Sequence, residues 1–202
     1  SWTRKAQVKV NGKRMKVSPV AGEYFRIERT WKNGDRVELV LPMHLTMRTW
    51  QVNKNSVSVN YGPLTLSLKI GEEFIRRDSR ETAIGDSKWQ KGADAENWPS
   101  YEIHPTTAWN YALVLGEKDP LEGFEVVKKS WPSDNFPFTP GNVPLEVKAQ
   151  GRRIPSWKID KYGLCAVLPE TDAPKSPQIE NITLIPMGAA RLRISAFPAV
   201  SE

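Results

Sequence analysis

Apolar and polar residues alternate along much of this 202-residue chain, and this alternation limits the folds available to it. Leu64, Leu66 and Leu68, for example, alternate with Thr65 and Ser67. Successive side chains of a β-strand point to opposite faces, so the pattern predicts half-buried antiparallel strands. The same alternation occurs at Phe25-Ile27, Val37-Leu39-Leu41, Val57-Val59-Tyr61, Leu145-Val147-Ala149 and Leu192-Ile194-Ala196. About ten short strands at this spacing predict an antiparallel β-sandwich or jelly roll.

Helices are expected to contribute little to the fold. No segment carries a sustained 3.6-residue apolar stripe flanked by capping residues, and sixteen prolines and thirteen glycines interrupt the chain frequently. The predicted fold class is therefore all-β, with two sandwiches, of which the first is incomplete, and very little helix.

Two Asn-Gly pairs mark tight turns between predicted strands. Asn11-Gly12 and Lys32-Asn33-Gly34-Asp35 each lie between two alternating runs. The Asn-Gly pair tolerates the positive φ angles of a type I′ hairpin turn. Both turns are therefore predicted to close β-hairpins of one sheet system, the second by joining a strand over 25–31 to one over 36–41.

Two polar, irregular zones divide the chain. Residues 71–100 are rich in charge and poor in alternation, which predicts a long loop or a connection between two sandwiches. Residues 131–144 contain four prolines and are predicted to be irregular. We expect the domain boundary in the first zone, so that residues 1–72 form an N-terminally truncated first sandwich and residues 73–202 a second, C-terminal sandwich.

The charge distribution does not favour a nucleic-acid partner. The net charge of +6 arises from 29 basic and 23 acidic residues, and the basic residues occur in scattered pairs such as Arg76-Arg77 and Lys128-Lys129. A nucleic-acid-binding protein would concentrate them on one face with interleaved aromatic residues. No apolar run approaches the ~18 residues that span a bilayer, so no transmembrane helix is expected. The first residues, Ser1-Trp2-Thr3, resemble a cut or processed start and do not indicate a compartment.

No recognisable catalytic motif occurs in the sequence. Phosphate-binding glycine loops, Ser/His/Asp constellations and metal motifs each need several residues at defined spacing. His44 and His104 are predicted to be hydrogen-bonded structural or surface residues rather than catalytic bases. Asp94 and Glu96 lie in a loop beside Trp98. Solvated loop charges are favoured there over a glycosidase carboxylate pair, which would need a separation of ~5 to 10 Å.

The single cysteine, Cys165, excludes an internal disulfide and a multi-thiolate zinc site within the chain. Free cysteine behaves as a small apolar residue and is commonly buried. Cys165 is therefore predicted to be a small buried hydrophobic residue.

Eight tryptophans are the most informative residues, because a flat apolar face with a polar edge suits both sandwich cores and the apolar faces of sugar rings. Trp31 and Trp50 lie on or beside alternating runs and are predicted to be in the core. Packing in the core or between domains is favoured for the loop aromatics, and a carbohydrate or partner surface remains open. The candidate carbohydrate-binding residues are Trp89, Trp98, Tyr101 and Trp109.

Several short motifs run the length of the chain in order. The early ones are Val8-Lys9-Val10-Asn11-Gly12-Lys13, Gly22-Glu23-Tyr24-Phe25-Arg26-Ile27, Arg29-Thr30-Trp31-Lys32-Asn33-Gly34 and Tyr61-Gly62-Pro63-Leu64. The later ones are Glu102-Ile103-His104-Pro105, Trp109-Asn110-Tyr111-Ala112-Leu113, Arg153-Ile154-Pro155-Ser156-Trp157 and Leu184-Ile185-Pro186-Met187-Gly188-Ala189-Ala190-Arg191. In order and spread they resemble the region after the catalytic barrel in glycoside hydrolase family 127, the β-L-arabinofuranosidase-like proteins.

The resemblance implies a parent enzyme in which an (α/α)₆ barrel performs the chemistry and two β-sandwich domains follow it. The zinc site of the family, formed by cysteine thiolates and a glutamate, and its cysteine nucleophile belong to that barrel. No catalytic residue, metal site or cofactor is therefore expected in this chain, and Cys165 is not expected to be a nucleophile. Ser1-Trp2 falls inside what resembles the family's Ile-Pro-x-Trp element, which implies a missing strand and an exposed sheet edge.

The expected function is that of a non-catalytic accessory region in a glycoside hydrolase acting on arabinose-containing or related plant or bacterial glycans. Its expected partner is the (α/α)₆ barrel, and a carbohydrate or a second subunit remains open; neither nucleic acid nor membrane is expected. The alternatives are a carbohydrate-binding module that uses the loop aromatics and a free-standing hydrolase. Family members occur inside bacterial cells and in periplasmic or secreted systems, so both compartments stay open.

Overall fold

A computed structural model describes residues 2–3, 5–16, 20, 22–77, 96–97 and 99–201 of the chain. The regular structure of these residues consists of thirteen β-strands and one short 3₁₀ turn, Met187–Ala189. The all-β class and the low helix content predicted from the sequence are thereby confirmed. None of the helical structure in these residues is long and apolar enough to cross a membrane.

The N-terminal strands form a small antiparallel sheet. Strands β1 (Gln7–Val10), β2 (Lys13–Arg14) and β3 (Val37–Val40) are arranged in the order β2-β1-β3. Asn11 and Gly12 connect β1 to β2 with φ angles of 52° and 76°, the positive values that a type I′ turn requires. The first predicted hairpin is confirmed.

The second predicted hairpin is only half formed. The N–H of Asp35 donates to the carbonyl of Lys32 at 3.0 Å, so the expected turn exists. However, residues 22–31 are not a strand, and β3 pairs with β1 instead. The physical reason is Asn11, whose side-chain Nδ2 donates to Asp35 Oδ1 at 2.7 Å while its Oδ1 accepts the N–H of Arg36 at 2.8 Å. These bonds attach the turn to the first hairpin and align β3 with β1.

Most of the remaining strands form one eight-stranded sheet. They are β4 (Leu45–Trp50), β5 (Ser56–Tyr61), β6 (Leu64–Leu68), β9 (Tyr111–Leu115), β10 (Glu125–Lys128), β11 (Leu145–Arg153), β12 (Ile179–Pro186) and β13 (Ala199–Ser201). The order is β13-β9-β11-β12-β6-β5-β4, all antiparallel except β13 on β9. One edge of the long strand β11 pairs with β9 near its C-terminal end and with β10 near its N-terminal end. Strand β11 is therefore the centre of the sheet.

The apolar core lies on this sheet and explains the alternating sequence runs. Its buried members are Val57, Val59, Leu66, Leu68, Ile70, Tyr111, Leu113, Val147, Ala149, Ile182, Leu184 and Phe197. Full burial of each large aliphatic side chain contributes about 1.5–3 kcal/mol. Strand β9 is buried on both faces, because Ala112 packs on the opposite side against Ile154 and Trp157. This second cluster supports the candidate site.

Strands β7 (Glu72–Arg77) and β8 (Ser100–Pro105) form a separate two-stranded antiparallel ribbon. The sequence predicted a loop from residue 71 to 100, and β7 corrects this at residues 72–77. Its sequence lacks apolar alternation because the ribbon lies largely at the surface. The predicted division between residues 72 and 73 stays a prediction; strands before and after it hydrogen-bond within the eight-stranded sheet.

Two further expectations are wrong. Leu192, Ile194 and Ala196 do not form a strand, although the N–H of Leu68 donates to the carbonyl of Ile194. Trp31 is 47% exposed rather than in the core, because residues 22–31 have no sheet face to bury it. Trp50 is half-buried on β4, where its Nε1 donates to Ser58 Oγ at 2.8 Å.

Candidate functional site

The aromatic residues predicted to bind carbohydrate are only partly described by the structure. Trp89 and Trp98 lie outside the described residues, as does Asp94 of the predicted carboxylate pair. Glu96 is exposed and forms an ion pair with Arg76 at 2.9 Å. Tyr101 and Trp109 are described and show where the loop aromatics lie relative to each other.

Trp109 forms one wall of a surface groove of about 570 Å³. The other walls come from β8, from residues 159–165 and from residues 192–194. Its polar or aromatic lining residues include Glu102, His104, Tyr162, Cys165 and Arg193. An apolar groove with a few polar groups at its rim is the usual form of a small-ligand site.

The indole of Trp109 is held rigidly at this position. It packs edge-on against Trp157, with the ring centroids 5.2 Å apart. Trp157 is buried, and its Nε1 donates to the carbonyl of Ala166 at 2.9 Å. The motif beginning at Trp109 and the motif ending at Trp157 therefore meet beside the groove.

Asn110 ties these two motifs together. This buried side chain donates from Nδ2 to the carbonyls of Ile154 and Trp157, both at 2.9 Å. Its Oδ1 accepts a hydrogen bond from Arg153 Nε at 2.8 Å. Because a buried amide is costly unless its hydrogen-bonding groups are satisfied, the three bonds fix the turn that positions Trp109.

One end of the groove carries an exposed ionic network. Glu102 accepts from Arg77 Nη2 at 3.0 Å and contacts His104 Nε2 at 3.1 Å. These hydrogen bonds, first that of Arg77 and then that of His104, lower the pKa of Glu102. The carboxyl group is therefore ionised at neutral pH and unsuited to act as a general acid. His104 is a hydrogen-bonded surface residue, as the sequence predicted.

His44 does not line this groove. It lies just before β4, where its carbonyl accepts the N–H of Gly62 at 3.0 Å. Its ring Nε2 is buried and has no hydrogen-bond partner among the described residues. The burial of this nitrogen favours a structural position for His44 over a surface one.

Tyr101 lies apart from Trp109. It is 51% exposed and packs edge-on against Phe74, with the ring centroids 6.2 Å apart. Tyr101 does not line the groove at Trp109, although its neighbours Glu102 and Ile103 do. The structure therefore does not combine Tyr101 and Trp109 in one platform.

Cys165 is exposed, which corrects the prediction of a buried residue. The reason is that residues 160–165 form a surface turn held by Asp160 rather than a core strand. Desolvation raises the pKa of the Cys165 thiol, and a contact with Trp157 offsets this only in part. Because a thiolate is the reactive form, Cys165 has the properties of an unactivated thiol. Among the described residues no three His, Cys, Asp or Glu side chains are placed to hold a metal ion.

The sequence patterns did not predict an exposed aromatic cluster. Trp131, Phe136 and Phe138 are each about half exposed or more, and the two phenylalanine rings lie 5.4 Å apart. Trp131 Nε1 donates to Asn135 Oδ1 at 2.7 Å, which fixes the indole on its turn. The density of aromatics among the prolines of residues 131–144 was the signal that could have identified it.

A buried carboxylate surrounded by lysines was also missed. Glu146 Oε1 contacts Lys69 Nζ at 2.8 Å and Lys129 Nζ at 2.7 Å, and Oε2 contacts Lys148 Nζ at 3.2 Å. Burial raises the pKa of Glu146, but hydrogen bonds from the three lysines outweigh it and lower the pKa to about 2. No sequence signal predicted the cluster, because Lys69 and Glu146 are brought together only by the pairing of distant strands.

Comparison with solved structures first shows which proteins the fold is similar to. Its fold matches a solved protein described as a glycoside hydrolase with a TM-score of 0.52 and 18% identity, over 98% of this chain and 26% of the other. A solved GH127 beta-arabinofuranosidase matches with a TM-score of 0.51 and 18% identity, over 96% of this chain and 23% of the other. The chain thus spans about a quarter of the length of these solved proteins. No curated protein sequence matches it.

A family model matches the first part of the sequence. Residues 1–43 match the family model described as Beta-L-arabinofuranosidase, GH127 middle domain. This match supports the resemblance to glycoside hydrolase family 127 for the first 43 residues, and the similarity of the remaining residues is one of fold.

Proposed function

We propose that the chain is a non-catalytic accessory region of a glycoside hydrolase acting on arabinose-containing or related glycans, and that it packs against an (α/α)₆ catalytic barrel. The observation that carries the proposal is the match of residues 1–43 to a middle domain of GH127 enzymes. The fold of nearly the whole chain corresponds to only about a quarter of a solved glycoside hydrolase, which leaves room for a larger catalytic part.

The exposed apolar residues of the matched segment support such packing. Tyr24 is fully exposed, and Trp31, Val37, Leu39 and Leu41 are all partly exposed. Val37 and Leu39 lie opposite Val10 and Val8, so one apolar face of the small sheet continues outward from buried residues onto β3. Contiguous exposed apolar surface of this kind marks an interaction site.

The first test is association with a catalytic barrel. The purified chain is titrated by sedimentation velocity with a GH127 (α/α)₆ barrel prepared without its own β-region. We expect a complex with the wild-type chain, and a loss of the complex with Leu39→Lys, because a lysine on the apolar face would be desolvated without a partner. Val52→Lys is the matched control, since Val52 is fully exposed and lies outside the matched segment. Absence of any complex, or equal losses in both variants, would contradict the proposal.

The second test is turnover by the chain alone. No hydrolysis of p-nitrophenyl arabinofuranosides or arabino-oligosaccharides is expected from it. Hydrolysis at an enzyme-like rate that co-purifies with the chain would overturn the non-catalytic role.

A carbohydrate-binding role is the second candidate, and the groove at Trp109 favours it. The indole is fixed by Trp157 at the edge of a groove large enough for a sugar residue. A stacked aromatic contributes about 1 kcal/mol beyond area burial, so binding would be weak. Calorimetric titration with arabino-oligosaccharides, repeated with Trp109→Ala and with Trp131→Ala as control, tests it. A saturable signal that only the Trp109 variant loses supports this role, and no signal at millimolar sugar contradicts it.

A further inference from the structure

A second groove, of about 530 Å³, lies where β6 ends and β7 begins. It shares only Ile70 with the groove at Trp109. Its charged, hydroxyl and aromatic lining residues are Lys69, Glu72, Phe74, Thr107, Thr139 and Arg191. This combination of cations, hydroxyl groups and one ring defines what the groove can recognise.

The first cation, Lys69, belongs to a cluster with excess positive charge. Glu146 is the carboxylate that Lys69, Lys129 and Lys148 share. One negative charge among three ammonium groups leaves two positive charges without a counter-ion in the cluster. Glu125 lies opposite Lys148 on β10 but forms no ion pair with it within the described residues. An added anion beside Lys69 would therefore meet a favourable potential.

The second cation that lines the groove is Arg191. Its Nη1 contacts Glu72 Oε2 at 3.5 Å, a long contact for an ion pair, and its guanidinium lies 5.3 Å from the centre of the Phe74 ring. Glu72 Oε1 is occupied by the backbone N–H groups of Arg191 and Leu192. The carboxylate is therefore committed to the protein, and the planar guanidinium retains donors suited to a ligand carboxylate.

The remaining groups of the groove suit a sugar ring. Phe74 is 48% exposed, which leaves apolar ring surface for contact with the C–H groups of a sugar. Thr107 Oγ1 accepts the N–H of Gly71 at 2.8 Å, so its own O–H remains able to donate. A free hydroxyl donor beside an aromatic ring is complementary to a polyhydroxylated ligand.

We propose that this groove binds a carboxylate-bearing sugar residue of a glycan, a uronic acid, with Lys69 and Arg191 contacting the carboxylate and Phe74 the ring. Two cations lining one groove discriminate such a residue from a neutral pentose, because the neutral sugar supplies no charge to offset their desolvation. The groove gives the chain a preference for acidic glycans that is independent of docking to a barrel. A negative result in the test below would thus leave the proposed function standing.

The test is isothermal titration calorimetry with trigalacturonic acid and, in parallel, with neutral arabinotriose. We expect saturable binding of the acidic trisaccharide that weakens as salt rises from about 0.05 to about 0.5 M, since screening acts on partly exposed charges. No saturable binding of arabinotriose is expected at the same concentrations. Equal binding of both sugars, no binding of trigalacturonic acid, or binding of free citrate as tight as that of the trisaccharide would overturn the proposal.

Two variants distinguish a contact made in the groove from a general effect of the lysine cluster on binding. Lys69→Met and Lys148→Met each remove one lysine from Glu146, but only Lys69 lines the groove. Loss of a charge-assisted contact should weaken binding of trigalacturonic acid about tenfold in Lys69→Met and less than about twofold in Lys148→Met. Equal effects would contradict the site. If Lys69→Met does not fold, Arg191→Gln takes its place with the same expected loss, and unchanged binding would refute the proposal.

Discussion

The side chain of Glu146 is only 4% exposed, yet its two oxygens hold ammonium groups from three parts of the sheet. Lys69 follows β6, Lys129 follows β10, and Lys148 lies beside Glu146 on β11. Replacing Glu146 with glutamine removes the charge but keeps the shape. The variant leaves three neighbouring cations with no shared counter-ion, so we expect Glu146→Gln to destabilise the folded chain.

The magnitude follows from the pKa of the carboxyl group. Its ordinary value is 4.5, and in the folded chain the lysines lower it to about 2 despite burial. A group whose folded pKa is depressed stabilises the fold above its unfolded pKa and loses this contribution as the pH falls through the folded pKa. The lowered pKa therefore corresponds to a contribution of about 3 kcal/mol to the free energy of unfolding at neutral pH. This contribution is lost between about pH 5 and pH 2.

Urea unfolding, followed by tryptophan fluorescence between pH 7 and pH 2.5, measures this contribution. The wild type should exceed Glu146→Gln by about 3 kcal/mol at pH 7, and the difference should shrink steadily below about pH 4.5. Glu125→Gln is the control, because Glu125 is exposed on the neighbouring strand, and its effect should stay below about 0.5 kcal/mol. A Glu146→Gln variant as stable as the control, or a difference that does not change with pH, would refute the reasoning.

Three further predictions concern the core and the groove at Trp109. Asn110→Ala should cost about 2–4 kcal/mol in urea unfolding, because two carbonyls and Arg153 lose their buried partner; a cost below about 1 kcal/mol would contradict that role. Leu184→Ala should cost about 2–5 kcal/mol in the same assay, since Leu184 is fully buried in the sheet core. Cys165 should react with Ellman's reagent more slowly than free glutathione at about pH 7.5, because its raised pKa reduces the thiolate fraction. A faster reaction would show an activated thiol.

The strands that form the core could be predicted because the alternation of apolar and polar residues lies within each strand. In β6, the alternation of Leu66 and Leu68 with polar residues is enough to identify the buried face. The turn at Asn11-Gly12 could be predicted because this residue pair tolerates positive φ angles, which the structure shows. Residues 22–31 misled the same reasoning. Their alternation resembles that of a strand, but the Asn11 side chain directs β3 to β1 and leaves Trp31 exposed. A local sequence pattern therefore indicates the two-residue periodicity of a strand, but it does not determine which other strand it pairs with.

The candidate sites were harder to predict, because each is assembled from distant segments. Trp109 meets Trp157 only through the pairing of β9 with β11, which places Arg153 opposite Tyr111. Tyr101 is near Trp109 in the sequence, but its ring packs against Phe74 and does not line the groove at Trp109. Proximity along the chain thus wrongly suggested that Tyr101 and Trp109 lie together, and it gave no indication that Trp109 packs against Trp157.

Packing of the segment matched to the GH127 middle domain against a catalytic barrel should be visible by hydrogen–deuterium exchange of the chain, with and without a GH127 (α/α)₆ barrel lacking its β-region. We expect slower exchange within residues 22–43 when the barrel is present, and unchanged exchange at the exposed turn around Val52. Unchanged exchange in residues 22–43 under saturating barrel, or protection confined to other surfaces, would show that this segment does not form the interface.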